Sequence, residues 1–496
     1  MGGNPLAIEL SCAWLRLLEA AEIVAELDRS DALLRALDRD GPARHRSVEA
    51  TLDTSWRLLD PATARVLEAL SVFCGALDRA AAATVAGAEL LTLGQLVDAS
   101  MVHRSGAGFD VHPLIRQDAR RRLELDPERR DRAWSLHAEL VLGRLREAVT
   151  MLQQGTLSAR LCMDRLSPVH ADVIAAWLNA IRVGRNELLV AAAPALYRYL
   201  DLANRHEELV EALGVAASAL ERAGHGGLGL AVELIGAGAG APQRRDLGAL
   251  RPMLASVPEP LRTAAYVHGA IAHVFGPSPM MALEWADEAV ARASAVDDAF
   301  LAGFSYAVRG VTRTRLGDLE GAAADLHAAR RICREDRALG RVAVHLGELT
   351  LVGGRWVEAV PALEDAIRQC RLTDDRSFMI LALGRLGQAM VALGEDPTDV
   401  CLEAIEEGVA SCLHRVWWSA ALAALAAFEL AAGRPKQALF LLGALAARPS
   451  MLAPPAVESQ LGVARGAVGV PADVLERTAR SASDAEVLLY VRAMGR

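Results

Sequence analysis

The chain has 496 residues, of which 52% are apolar and only 4% aromatic, and its formal net charge is −9. A core drawn from Ala, Leu and Val, with few β-branched runs, points to an all-α protein of small-residue packing, and the acidic balance argues against broad, sequence-independent nucleic-acid binding. Seven scattered cysteines without a Cys-x-x-Cys spacing read as thiols of a reducing cytosol and not as a disulfide framework.

The first motif is Gly3-Asn4-Pro5-Leu6-Ala7-Ile8-Glu9-Leu10. Pro5 suits the first position of a helix, where its missing N–H costs nothing. Residues 5–39 read as two helices ending in the turn Asp38-Arg39-Asp40-Gly41-Pro42. Glu9, Arg16, Glu19 and Glu22 interrupt the apolar residues, so the stretch is not a secretory signal. Arg46–Leu59 places Val48, Leu52, Trp56 and Leu59 on one helical face. Asp60-Pro61 then restarts a helix with a cap and a proline at the first position, continuing as Ala64–Phe73 and stopping at Gly75. A further helix follows Asp78 and ends near Gly87, and another runs through Leu93–Ala99. Two short extended arms between Met101 and His112, around Gly106-Ala107-Gly108, predict a hairpin. Pro113 opens a helix through Leu123. Helices, hairpin and closing helix together predict a winged-helix domain over 41–125.

Residues 126–165 are expected to form a helical linker. Beyond it, turn marks fall at Asn204, Gly240, Gly276, Gly317, Gly354, Gly394 and Gly433, at intervals of 36 to 41 residues. Small residues follow several of them, as in Gly317-Asp318-Leu319-Glu320-Gly321-Ala322. Paired helices with Ala and Gly at their close approaches are the tetratricopeptide plan, in which stacking makes the core and leaves a curved binding surface. A tetratricopeptide-like α-solenoid is therefore expected over 166–450, with 451–496 capping the stack. The near-apolar run Val416–Phe428 is shorter than the roughly 20 residues that span a bilayer, so no membrane association is expected.

Chemistry-bearing motifs are sparse. Lys436 is the only lysine and sits in Gly433-Arg434-Pro435-Lys436-Gln437, which is no Gly-x-x-x-x-Gly-Lys-Ser/Thr phosphate loop. His268, His273 and His414 show no metal-ligand spacing, and no metal is expected. Gly224-His225-Gly226-Gly227-Leu228-Gly229 follows a helical repeat where a dinucleotide motif would follow a strand, and reads as an inter-repeat loop. Arg116, Arg120, Arg121 and Arg122 could face DNA, but the interleaved Asp118, Glu124 and Asp126 favour a solvated face. Trp417-Trp418 marks either a ligand groove or, as the commoner pattern, core packing.

With these pieces in order, the chain resembles the C-terminal portion of a STAND-class signal-transduction ATPase, in particular the large bacterial regulators of the LuxR and antibiotic-regulatory-protein type. "GNPLAIEL" at 3–10 resembles the family's Gly-x-Pro-Leu motif, and "RHRSVEATLDTSWRLLDPATARVLEALSVF" at 44–73 the start of its winged helix. "VHPLIRQDARRRL" at 111–123 resembles its Met-His-Asp-type motif, with Pro113 in place of the acid, and "HADVIAAWLNAI" at 170–181 the first helix of its repeat array. The resemblance implies that residues 1–40 end a nucleotide-binding module whose P-loop core lies outside this chain. It implies that Pro5 lies against an adenine and that His112 reaches the ADP β-phosphate. Taken alone, the chain is then expected to hold no cofactor and to hydrolyse no ATP, with ADP or ATP bound only when that core is supplied. The implied role is that of the sensing half of a cytoplasmic transcriptional regulator. Its repeats would bind a protein partner or a small-molecule inducer, and its winged helix would relay to the ATPase core without DNA contact of its own. The alternative is a stand-alone repeat scaffold with no nucleotide role.

Overall fold

The computed structural model describes Glu19, residues 21–22, Trp56 and residues 59–494 apart from 107, 238–249, 275–278, 294–297, 412–416, 447–453 and 469–471; positions 57–58 are likewise outside it. Pro5 and its motif, the helices expected over 5–39, most of the helix expected over Arg46–Leu59 and the turn marks Gly240 and Gly276 lie outside the described residues. The described residues are helical throughout except for one two-stranded hairpin and the connecting turns. They divide into two units, the first running to Arg144 with Ser167–Leu189, the second comprising Leu145–Leu166 and Val190 onward.

In the first unit, α1 (Pro61–Leu70) starts where the Asp60 carboxylate accepts the N–H groups of Ala62 and Thr63 at 2.9 and 3.0 Å. It closes at Leu70, ahead of the expected Phe73, with a hydrogen-bonded turn from the Phe73 N–H to the Leu70 carbonyl. α2 (Arg79–Ala86) lies between the Asp78 cap and a left-handed Gly87. α3 (Leu90–Asp98) begins three residues before the expected Leu93. β1 (His103–Ser105) and β2 (Gly108–Asp110) pair antiparallel with Arg104 opposite Phe109. Leu77 exchanges two backbone hydrogen bonds of 2.8 Å with Phe109, which ties the hairpin to the chain ahead of α2. Gly108 permits this approach: a Cβ there would lie 2.5 Å from the Leu77 carbonyl oxygen. α4 (Pro113–Leu123) then covers the core, in which Leu67, Leu70, Leu93, Leu96, Ala119 and Leu123 are buried.

α5 (Pro127–Gln153), α6 (Ala159–Leu166) and α7 (His170–Arg182) follow. The buried Asp172 of α7 accepts the Cys74 N–H at 2.7 Å and meets His137 Nε2 at 3.0 Å. The His137 ring stands edge-on to Phe73 and Trp134. These contacts all fall within the first unit, so the helix resembling the start of a repeat array also supplies a buried carboxylate to that unit's core.

The array continues as α8 (Asn186–Leu202), α9 (His206–Arg222), α10 (Gly226–Ala237), α11 (Leu261–Val274), α12 (Pro279–Ala293), α13 (Ala299–Leu316) and α14 (Leu319–Ile332). It proceeds through α15 (Asp336–Val352), α16 (Trp356–Leu372), α17 (Arg376–Leu393), α18 (Thr398–Ala410), α19 (Ser419–Ala431) and α20 (Pro435–Ala446), and ends with α21 (Pro454–Val468), α22 (Ala472–Ser481) and α23 (Asp484–Met494). From α13 to α17 each helix packs antiparallel-hairpin fashion on the next, as short connections require. The expected marks Asn204, Gly317, Gly354, Gly394 and Gly433 all turn with positive φ. So do Gly184, Gly224 and Asp374, which the spacing skips because a helix pair has two turns and only one carries the regular mark. Of the stretch expected as an inter-repeat loop, only Gly224-His225 turns between helices; Gly226–Gly229 form the first turn of α10.

A 37-residue register is visible in the packing. Gly310, Gly347 and Gly384 are successive members of one position. A Cβ on them would sit 2.8 Å from Leu326, 2.7 Å from Leu363 and 2.8 Å from Ala420. Leu326 and Leu363, Ala322 and Ala359, and Cys333 and Cys370 keep the same spacing, and all are buried. By length and composition α17 is the one helix among the described residues able to cross a membrane, but 61% of it is buried in the array, as befits a core helix.

Candidate functional site

α8 carries Arg198 and Asp201 on one buried face, and the 300s bring partners to them. Glu335 precedes α15, α15 contributes Arg337 and Arg341, and Asp375 precedes α17. Arg198 is paired with Asp201 and Glu335, its Nε lying 3.2 Å from Glu335. Arg341 bridges two carboxylates, 2.9 Å from Asp201 and 2.6 Å from Asp375. Arg337 meets Asp375 at 3.1 Å and donates to the Leu202 and Asp201 carbonyls, at the open end of α8, at 2.9 and 3.0 Å. Three guanidinium groups thus face three carboxylates, all in the second unit, with direct partners up to 140 residues apart in sequence.

Burial of ions costs several kcal/mol each unless they are paired, and the pairing here is complete. Burial by itself would raise the Asp201 carboxyl, but Arg341, Arg198 and Arg337 outweigh it and hold the group well below the usual carboxylate range. Asp375 is held down in the same way by Arg337 and Arg341. Burial lowers Arg198 to about 10, which still leaves it charged at neutral pH.

Beside this network lies a cavity of about 140 Å³ in the second unit. Tyr197, Phe300, Phe304, Phe378 and Trp417 line it, five aromatics from a chain in which aromatics make up 4%. Phe300 and Phe304 stack with centroids 5.7 Å apart, and Phe378 and Trp417 are tilted together at 5.5 Å. Arg341 lies over Phe378 at 4.6 Å, so a charged member of the network forms part of the aromatic wall. Ile271, Val308, Val311, Val342 and Leu381 complete the apolar lining. His206 stacks on Trp417 at 6.4 Å, and its Nε2 is 3.1 Å from Ser377 Oγ. Burial, partly offset by Asp201, lowers the His206 pKa, so the ring is neutral at neutral pH.

Tyr197 is the distinctive polar group. It is 9% exposed, its ring stands edge-on to the buried His268 at 4.3 Å, and no described residue hydrogen-bonds its hydroxyl. Buried phenols ordinarily find a partner. Burial and then Asp201 push the Tyr197 pKa up, which keeps it a neutral O–H donor. Behind it, burial pulls His268 down to about 3, so that imidazole is uncharged.

The residues singled out from sequence fall elsewhere or divide. Pro5 lies outside the described residues. His112 caps α4, its Nδ1 accepting the Leu114 N–H at 3.3 Å. Of the arginines of α4, Arg121 is exposed as the expected solvated face requires, whereas Arg116 and Arg120 turn inward. Arg116 donates to the Cys74 carbonyl at 2.7 Å and pairs with Asp110, and Arg120 donates to the Ser71 carbonyl at 2.6 Å. Arg122 pairs with Asp118 at 2.9 Å and lies over Trp56 at 4.6 Å. Arg116 and Arg120 serve the interior because the turn after α1 presents open carbonyls. Trp418 is fully buried core, where the Gly408 position leaves room for its indole, whereas its neighbour Trp417 faces the cavity. Core packing was the expectation for both, and it holds for one.

Lys436 stands exposed in the first turn of α20. Among the described residues no three His, Cys, Asp or Glu side chains are placed to hold a metal ion. A wide groove of about 880 Å³ in the first unit is lined by Arg130, Asp131, Glu139, Arg182 and Arg185, but its charges pair with one another in solvent. The functional residues missed in sequence are thus the cavity aromatics and the arginine–carboxylate network.

No family model matches the chain, and no curated protein matches it. Among solved structures it is similar to a signal transduction ATPase with numerous domains, carrying a tetratricopeptide repeat sensor, from Pyrococcus horikoshii. The two share 12% sequence identity with a TM-score of 0.40, over 95% of this chain and 74% of that one.

Proposed function

We propose that this chain is the sensing half of a cytoplasmic, bacterial regulator of the STAND type, in which the helical repeats receive a small-molecule effector. The observation that carries the reading is the cavity of the second unit, with aromatic walls and a largely buried tyrosine whose hydroxyl has no hydrogen-bond partner among the described residues. An apolar pocket with a few convergent polar groups is the usual form of a small-molecule site. The helix, hairpin and closing helix of the first unit act as a winged-helix relay to a nucleotide-binding core supplied outside this sequence. Pro5 and His112 would close that core's nucleotide pocket. Because His112 Nδ1 accepts a backbone N–H, the ring proton resides on Nε2, the arrangement that donates to a phosphate. With its one lysine outside any phosphate loop, the chain alone does not hydrolyse ATP.

Switching follows if the effector prefers one arrangement of the array. Driving a population from 1:99 to 99:1 takes about 5.5 kcal/mol of differential affinity. The test is a thermal melt of the full chain with the low-molecular-weight fraction of its host cells. The melting temperature should rise for the wild type and stay unchanged for Ala338→Phe, which fills the cavity. No rise, or an equal rise in the filled variant, contradicts the reading. Once an ATPase core is supplied, His112→Ala should raise basal output, and unchanged output removes His112 from the lock.

One observation favours the second reading, a repeat scaffold for a protein partner. Val352, Trp356 and Val357 stand together around the turn between α15 and α16 and are 53%, 43% and 73% exposed. Trp356→Asp should then abolish partner capture while leaving small-molecule binding intact.

A further inference from the structure

We infer, resting on the cavity reading above, that the effector is an uncharged planar molecule of about one ring, carrying a hydrogen-bond acceptor for the Tyr197 hydroxyl. Size comes from the cavity itself. Its 140 Å³ is close to the roughly 150 Å³ of an engineered apolar cavity that takes up benzene. Planarity comes from the walls. The Phe300–Phe304 stack and the Phe378–Trp417 pair offer ring faces and edges, against which a flat ring packs better than a branched aliphatic chain.

The absence of charge follows from the ion network. Arg198, Asp201 and Arg341 line the cavity and each is already held by opposite charges, while the lining His345 is paired with Glu348 at 3.4 Å. With Glu335, Arg337 and Asp375 behind them, the buried charges sum to zero. An anion would have to compete with Asp201 and Asp375 for Arg341, and a cation would have to strip an arginine from Asp201. Either leaves a buried ion without its partner, which is strongly unfavourable.

The acceptor follows from Tyr197. The residue is 9% exposed and lines the cavity, and its hydroxyl donates to no described residue. A ligand carbonyl or ether oxygen satisfies it, and a hydrocarbon of the same shape leaves it unsatisfied.

Four probes of one shape separate these statements: acetophenone, benzoate, benzylamine and ethylbenzene, each titrated calorimetrically into the full chain and into Tyr197→Phe. Acetophenone should bind the wild type, with benzoate and benzylamine weaker by about 100-fold or more. Tyr197→Phe should weaken acetophenone about tenfold and leave ethylbenzene unchanged. Benzoate or benzylamine binding as tightly as acetophenone overturns the uncharged ligand while sparing the cavity as a receptor site. Equal acetophenone affinity in wild type and Tyr197→Phe overturns the hydroxyl anchor and likewise spares the site. Binding of none of the four, with Tyr197→Phe melting like the wild type, overturns the cavity reading itself.

Discussion

Arg337→Met keeps the volume of the side-chain stem and removes the guanidinium that joins the end of α8 to the residue ahead of α17. Arg337 is 1% exposed, lies 3.1 Å from Asp375 and satisfies the Asp201 and Leu202 carbonyls. The variant leaves Asp375 with Arg341 alone and leaves two buried carbonyls without this donor. Removing one partner of a buried ion pair costs about 3–5 kcal/mol. Each kcal/mol moves the melting temperature of a unit of over 300 residues by roughly 1.5 °C, so the fall should be about 4–7 °C. Scanning calorimetry of the full chain reads it. Asp375→Asn should be destabilising as well, and the double variant should lose less than the sum of the two by about 1 kcal/mol or more, because both changes act on one network. A fall of less than about 2 °C for Arg337→Met, or strict additivity with Asp375→Asn, refutes the claim that this network holds the array together.

Acid should act through the same groups. Burial would raise Glu348, yet Arg385 and His345 outweigh it and bring the group down to about 2; Asp201 and Asp375 are also depressed. Depressed carboxyls stabilise fully above their unfolded values near 4 and lose that contribution as the pH falls through the folded values. The melting temperature should therefore begin to fall below about pH 6.5, where unfolding lets the buried neutral His206 and His268 take up protons, and fall further from about pH 4 towards 2 as the carboxyls are protonated; no change between about pH 4 and 2 would contradict the pairing. Gly347→Val would force a side chain into Leu363, 2.7 Å from the new Cβ, at a cost of about 1–3 kcal/mol by urea titration. Burial pushes the Cys333 thiol up to about 11 and Cys370 to about 12, so mass spectrometry should find both alkylated only after unfolding. His112→Ala should cost about 0.5–1 kcal/mol through loss of the α4 cap, with His112→Asn restoring most of it.

What could be read in the sequence was local. Asp60-Pro61, Asp78, Gly87, Pro113 and the Gly-x-Gly hairpin tip each set the backbone within a few residues, and the elements start or stop at or near them. Small residues after the turn marks announced close helix approaches: Ala322 and Ala359 are fully buried, and a Cβ on Gly310 would lie 3.3 Å from the Ala322 carbonyl oxygen. The candidate site was not legible, because its parts meet across the fold. Arg198 and Glu335 are 137 residues apart, and an Arg or Asp on an amphipathic helix reads as solvated until a partner face covers it. Periodicity distinguishes the buried face of a helix but is blind to whether facing surfaces close completely. Trp417 and Trp418 show this: adjacent and chemically identical, one fills the core and the other edges a cavity. The solvated-face reading failed at Arg116 and Arg120 for a related reason, since their acceptors are the backbone carbonyls of Cys74 and Ser71, which no side-chain pattern displays.

The most direct test of the receptor reading is a methyl-resolved NMR titration of the full chain with the low-molecular-weight fraction of its host cells. The account predicts shifts at Val308, Val342 and Leu381, which line the cavity, with Val352 and Val357 on the exposed turn unmoved. Shifts confined to Val352 and Val357, or none at the cavity methyls, would contradict it.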